Sequence, residues 1–238
     1  MSGEGDVRRM PLAGHPGHPP DAFLMAFDPS SGDDHAFVRH GIACPPSVRR
    51  SVAKRRAEYL AGRRVAAAAL RDAGSEVGDL MIGPDRAPVW PPAFTGSITH
   101  ATGLAAAVAM PSRPGWGIGI DLEHVATDSA LEAIAQSVVD ANERRALDGL
   151  ARMLGEATAL TIAFSAKESF YKATAATVGR IFDFSALKVV AALVGEGQLT
   201  AEVAEPLAVS LPAGLRFTLG FTTIAPSTVI TSCLWRPA

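Results

Sequence analysis

Apolar and polar positions along the chain fall into two rhythms. Residues 45–74, "PPSVRRSVAKRRAEYLAGRRVAAAALRDAG", read as one long helix that begins after a proline pair and stops at Gly74. Val52, Tyr59, Leu60, Ala66, Ala69 and Leu70 are expected to form its apolar face. Helical spacing returns over 128–151, through Leu131, Ile134, Val138 and Val139, and over 157–178, ending at Gly179. Between and after these lie short runs suited to strands: "AFLMAF" at 22–27, "LAAAVAM" at 104–110, "GIGIDLEH" at 117–124, and four runs beyond residue 186. "GSITHATG" at 96–103 reads as a turn-rich polar segment, and "MIGPDRAPVWPP" at 81–92 as a loop punctuated by proline. Both halves carry strands and at least one long helix, which predicts an α+β protein with a boundary near 111–117. Residues 1–20, rich in Gly, Pro and His, are expected to form a mobile tail, with His15 and His18 not held to a metal.

Composition narrows the class. The chain has 238 residues, 48% hydrophobic and 19% charged, enough to bury a core. A net charge of −2 excludes a general polyanion-binding balance, so no nucleic-acid partner is expected. Cys44 and Cys233 are too few for a disulfide framework and are read as thiols. No apolar run reaches a membrane span, and the N-terminus lacks the apolar stretch of a signal peptide, so a cytoplasmic protein without membrane contact is expected.

Two clusters stand out against this background. In "GIGIDLEH" the period of two places Ile118, Ile120 and Leu122 on one side, and Gly117, Gly119, Asp121 and Glu123 on the other. Two adjacent carboxylates suit a hard cation such as Mg²⁺ or Mn²⁺, or else a solvent-facing sheet edge. The glycines are expected to leave room for something bulky to approach the backbone. In "FSAKESFYK" at 164–172, Glu168 and Lys172 lie four residues apart on one helix stripe with Phe164. Lys167 points about 100° away from that stripe. The 45–74 helix concentrates Arg49, Arg50, Lys54, Arg55, Arg56, Arg63, Arg64 and Arg71, which describes either a solvated face or an anion site. Gly96, Ser97 and Thr99 offer amides and hydroxyls, and His100 a donor, for a phosphate.

In order and spacing, "GSITHATG", "GIGIDLE" and "FSAKESFYK" resemble the Sfp-type phosphopantetheinyl transferases, and the EntD-like group in particular; "KRRAEYLAGRRVAAAAL" at 54–70 and "APVWP" at 87–91 extend the resemblance. The resemblance covers roughly residues 45–190. It implies a monomeric pseudo-dimer of two similar α+β subdomains, 21–114 and 115–238, with coenzyme A and Mg²⁺ (Mn²⁺ as an alternative) in the cleft between them. It implies transfer of the 4′-phosphopantetheine arm of coenzyme A to a serine of an acyl or peptidyl carrier protein, with release of 3′,5′-ADP. A siderophore, nonribosomal peptide or polyketide synthase would supply the carrier.

Carried over by position, the resemblance assigns Mg²⁺ to Asp121, Glu123 and Glu168. Glu168 and Lys172 become the catalytic pair, and Lys167 a phosphate contact. Ser97, Thr99, His100, Arg56 and Arg64 fall to the phosphates of coenzyme A, and Arg86 and Pro88 to its adenine. The adenine loop, commonly Gly-Lys-Pro in the family, reads Arg86-Ala87-Pro88 here. A nucleotide-binding module without the acids, or a Mg²⁺-dependent phosphohydrolase without a carrier, are the alternatives from other classes.

Overall fold

The structure, a computed structural model, describes residues 5–15, 19–76, 80–83, 87–225 and 227–236. The chain forms two compact units. One comprises Met1–Pro11 with Pro20–Ser112; the other comprises Leu12–Pro19 with Arg113–Ala238. Each is an antiparallel sheet with a long helix packed against it, the α+β class that the strand and helix rhythms predict.

In the first unit the sheet order is β1 (Arg8–Met10), β2 (Ala22–Ala26), β6 (Leu104–Pro111), β5 (Phe94–Ala101). Alternate residues of β6, Ala105, Ala107 and Ala109, pack with Ala61, Val65, Ala66, Ala69 and Leu70 of helix α3 (Ala53–Asp72). These alanines keep both surfaces shallow, so the helix lies close to the sheet; a Cβ on Gly62 would sit 3.2 Å from Ile98 of β5. Two short helices, α1 (Asp34–Arg39) and α2 (Pro46–Arg49), precede α3, and a small hairpin of β3 (Met81–Ile82) and β4 (Pro88–Val89) follows it.

The single helix expected over 45–74 is therefore two. Arg50 closes α2, and Val52 takes an extended backbone (φ −63°, ψ 156°) that starts α3. Val52 is consequently 73% exposed rather than part of the apolar face, while Tyr59, Leu60, Ala66, Ala69 and Leu70 are buried. "GSITHATG" is likewise mostly strand, with a turn only at Thr102 and Gly103: residues 96–101 belong to β5, paired with β6 from Phe94↔Pro111 to Ala101↔Leu104. Polar residues are poor strand signals on their own, and the apolar partner strand overrides them.

The mobile tail expected over 1–20 does not hold for residues 5–15. Arg8–Met10 pairs with β2, Leu12 is buried, and Gly14, at φ +80°, lies against Gly197 and Gly220 of the second unit. His15 Nε2 is 2.7 Å from Ser232 Oγ. Burial and the nearby Arg236 push the His15 pKa down to about 4, so the ring is neutral at pH 7. Backbone pairing and glycine-to-glycine approach order this stretch despite its composition. His18 lies outside the described residues.

The second unit has a five-stranded sheet ordered β7 (Gly117–His124), β11 (Thr228–Trp235), β10 (Arg216–Ala225), β9 (Gln198–Val203), β8 (Leu187–Leu193). The helical pattern over 128–151 divides into α4 (Asp128–Ser137) and α5 (Ala141–Leu154). Asp140 starts α5 with a capping box: its carboxylate accepts from the amides of Asn142 and Glu143, and Glu143 accepts from the Asp140 amide. Helix α6 (Glu156–Val178) runs against β7 and β11, with Phe170 fully buried beside Phe217. Cys44 and Cys233 are both free thiols. No helix among the described residues is long and apolar enough to cross a membrane.

Strand β7 meets α6 at backbone distance. A Cβ on Gly117 would collide with the Ala173 carbonyl; one on Gly119 would collide with the Ser169 carbonyl and stand 2.7 Å from the Ala173 nitrogen. The room expected beside the glycines for a bulky group is thus filled by helix backbone, not by a ligand. Gly119→Ala should destabilise the protein by about 1–3 kcal/mol or more, because rigid backbone must move. Gly149→Ala, at an exposed helical site with open space around it, should be neutral or stabilising by up to about 1 kcal/mol. Urea denaturation of both variants checks this; equal stabilities would remove the close-approach explanation.

Candidate active site

Because α6 lies directly on the glycine face of β7, its next exposed turn projects over the carboxylates at the strand's far end. Asp121 is 4% exposed. Lys172 reaches it from the helix: Nζ is 2.6 Å from Asp121 Oδ1 and also donates to the Ile120 carbonyl at 3.2 Å. Glu123 and Glu168 are half-buried in the same neighbourhood. Burial, and then the Asp121 charge, raise Glu123 to about pH 7; Glu168 adds to this and Lys172 opposes it. Burial, followed by Asp121, raises Glu168 as well, again with Lys172 opposing. Three acids therefore repel across a small space in which Lys172 is the cation that acts on both glutamates.

Among the described residues, no three acidic, histidine or cysteine side chains converge as a ready-made metal site. The donor chemistry nevertheless fits a hard divalent ion: clustered carboxylate oxygens whose mutual repulsion one ammonium only partly relieves.

Lys167 departs from its expected phosphate contact. It is buried, 2.7 Å from Glu143, and donates to the carbonyls of Val138 and Phe184. Burial lowers its pKa, with Glu143 opposing. Breaking such a buried pair costs about 3–5 kcal/mol. A pocket of about 240 Å³ lies beside Lys167 and Glu168, walled by Phe170, Tyr171, Phe182 and Phe184. Tyr171, Phe182 and Phe184 escaped the sequence reading, which had no means of pairing the 181–184 turn with α6.

In the first unit, a pocket of about 370 Å³ is lined by Arg55, Glu58, Tyr59, Arg63, Pro88, Ile98 and His100, among others. Strand parity places Ile98 and His100 on this side. Ser97 and Thr99 point the other way and are buried, so their hydroxyls do not line it. Arg55 Nη1 is 3.4 Å from His100 Nε2, and Glu58 is 3.6 Å from Arg55 and 3.9 Å from His100. Arg63 stacks over Tyr59 at 4.6 Å.

The arginines on the pocket wall are thus Arg55 and Arg63. Arg56 and Arg64, expected from the sequence, each sit one residue further round the helix, about 100° away. Arg56 turns back to the Arg49 carbonyl at 3.4 Å. An alanine-rich helix buried on most sides offers little amphipathic contrast, so sequence periodicity could not choose between adjacent arginines. Arg86 lies outside the described residues.

Comparison with known proteins bears on both units. The family model for the 4′-phosphopantetheinyl transferase N-terminal domain matches residues 45–110, and that for the 4′-phosphopantetheinyl transferase superfamily matches residues 117–212. Enterobactin synthase component D of Escherichia coli O157:H7 is 37% identical over 171 residues, 69% of this chain and 73% of that protein. The chain belongs to the 4′-phosphopantetheinyl transferase superfamily. Enterobactin synthase component D of Salmonella typhimurium is 39% identical over 164 residues, and the match spans 69% of this chain but only 64% of that protein. 4′-Phosphopantetheinyl transferase Svp of Streptomyces mobaraensis is 34% identical over 137 residues, 58% of this chain and 55% of Svp. The superfamily match spans β7 and α6, and the N-terminal-domain match spans α3 and β5.

The electrostatic cluster makes a prediction that does not depend on activity. Asp121→Asn removes a negative neighbour and should lower the pKa of both Glu123 and Glu168. Lys172→Met removes the opposing cation and should raise both. Carboxyl ¹³C NMR titration measures each; a Glu123 value unmoved by Asp121→Asn would separate the two acids.

Proposed function

We propose that the protein transfers the 4′-phosphopantetheine arm of coenzyme A to a serine hydroxyl of an acyl or peptidyl carrier protein, releasing 3′,5′-ADP. The observation that carries this reading is the set of α6 side chains Glu168 and Lys172 held over Asp121 and Glu123 of β7, in a chain of this superfamily. The motif resemblance favours carriers of siderophore or peptide synthases, and a relative is named as a component of enterobactin synthase. Asp121, Glu123 and Glu168 would hold Mg²⁺, with Mn²⁺ as a substitute; bound there, it would offset the charge of the coenzyme A diphosphate.

The chain's own groups divide the remaining work. Glu168 takes the proton as the serine oxygen bonds to phosphorus. The bond from that phosphorus to the oxygen of the departing 3′,5′-ADP breaks. Lys172 exchanges its contact with Asp121 for the oxygen on which charge develops. The aromatic pocket beside Glu168 is suited to a narrow, flexible arm. In the first unit, Arg55, Arg63 and His100 suit a phosphate monoester, and Pro88 offers an apolar surface to the adenine.

Incubation with coenzyme A, Mg²⁺ and a purified apo-carrier domain should add one phosphopantetheine to the carrier mass and release 3′,5′-ADP. Cleavage of coenzyme A without carrier modification would select the phosphohydrolase instead. Arg55→Ala and Arg63→Ala should each weaken coenzyme A binding about ten-fold or more, as lost charge-assisted hydrogen bonds do. Binding of 3′-dephospho-coenzyme A should change much less, and Arg64→Ala should matter little for either ligand. Calorimetric titration compares them; a dominant effect of Arg64→Ala would reverse the choice of face.

A further inference from the structure

Lys167 precedes Glu168 on α6, yet its side chain runs into the core of the second unit. Its side chain and that of Glu143 are each 1% exposed. The ammonium meets Glu143 Oε1 at 2.7 Å, the Val138 carbonyl at 2.6 Å and the Phe184 carbonyl at 3.1 Å. An ammonium has three donors, so each has a partner inside the protein. Glu143 in turn accepts from the backbone amides of Val189, at 3.0 Å, and Asp140, at 3.1 Å. The pair thereby ties together the end of α4, the start of α5, the middle of α6, the turn before β8, and β8 itself. A cation so engaged has no donor left for a substrate phosphate.

We propose that Lys167 is a positioning residue: with Glu143 it fixes the α6 turn that carries Glu168 and the Phe184 backbone that walls the adjacent pocket. The proposal rests on the transferase reading above. Its physical basis is the stringency of a buried ionic network. Few arrangements satisfy every donor and acceptor at once, so the network holds its neighbours in one geometry. Glu168 is one peptide unit from the anchored residue, and it must lie within hydrogen-bonding reach of the attacking hydroxyl. A displacement of about 1 Å at such a point can cost about 100-fold in rate.

The test compares Glu143→Gln, Lys167→Met and the double variant Glu143→Leu/Lys167→Met with the wild type, using one apo-peptidyl-carrier domain, coenzyme A and Mg²⁺. Tm is recorded for each. Both single variants should lower kcat about ten-fold or more while the KM for coenzyme A stays within about three-fold. The double variant should lose no more activity than the worse single variant, since the two residues act as one unit. Its Tm should recover relative to Lys167→Met, because an apolar pair replaces a buried carboxylate left with only Lys188, at 3.6 Å, but its kcat should not recover.

Two results would overturn the proposal: a selective rise in KM for Lys167→Met with Glu143→Gln silent, which would return Lys167 to the phosphate, or a double variant with wild-type kcat, which would make the pair a core filler only. Should Lys167→Met fail to fold, Glu143→Gln, which keeps its shape and an acceptor oxygen, tests the proposal alone: a wild-type kcat in that variant would overturn it. A wild type that modifies no carrier overturns the transferase reading itself and the role built on it.

Discussion

Helix α6 touches β7 where the strand has no side chains. Gly117 and Gly119 let the Ser169–Ala173 stretch of backbone settle directly on the strand, and the rest of the acidic site follows from that contact. With the axis held this close, the stripe through Glu168 and Lys172 projects over the strand just beyond the glycines, and Lys172 can span the gap to Asp121. A larger residue at either glycine would lift the helix and separate the two charged rows. Glycine is a costly strand residue, and here the cost is offset by the burial of Phe170, Ala166 and Ala173 along the packed side of the same helix.

Two anchors fix α6 in the other directions. Thr231 of β11, paired in register with Asp121, receives Ser165 and Ser169 at 2.8 and 2.7 Å, so buried hydroxyls meet hydroxyls instead of apolar surface. On another face, Lys167 and Glu143 bind the helix to α5 and β8. The two lysines of "KESFYK" consequently differ in kind. One is spent on architecture; the other faces acids across a partly exposed gap and keeps the freedom to change partners. Only four residues separate them in sequence, yet the angle between their faces on the helix gives them opposite environments.

The first unit solves a related problem with different means. Alanines on α3 and β6 bring helix and sheet together, and the helix then presents Arg55, Tyr59 and Arg63 beside His100 on β5. Glu58 among these cations keeps the pocket from carrying an unbalanced positive charge. Arg63 is held over the Tyr59 ring, which limits the rotamer freedom that an arginine loses when it grips a ligand.

Periodicity alone determined the α+β class, the long helix ending at Val178, the carboxylates on one side of 117–124, and the Glu168–Lys172 stripe, because each depends only on the local geometry of a helix or strand. The order of "GSITHATG", "GIGIDLE" and "FSAKESFYK" carried the family. Other features needed the third dimension. That the space beside Gly119 holds helix backbone, that Lys167 belongs to Glu143, that Arg55 and Arg63 rather than Arg56 and Arg64 line the pocket, and that residues 8–10 form a strand all depend on which surfaces meet across long sequence separations. A local pattern specifies the direction of a side chain relative to its own helix or strand; its partner is chosen only when another segment packs against it.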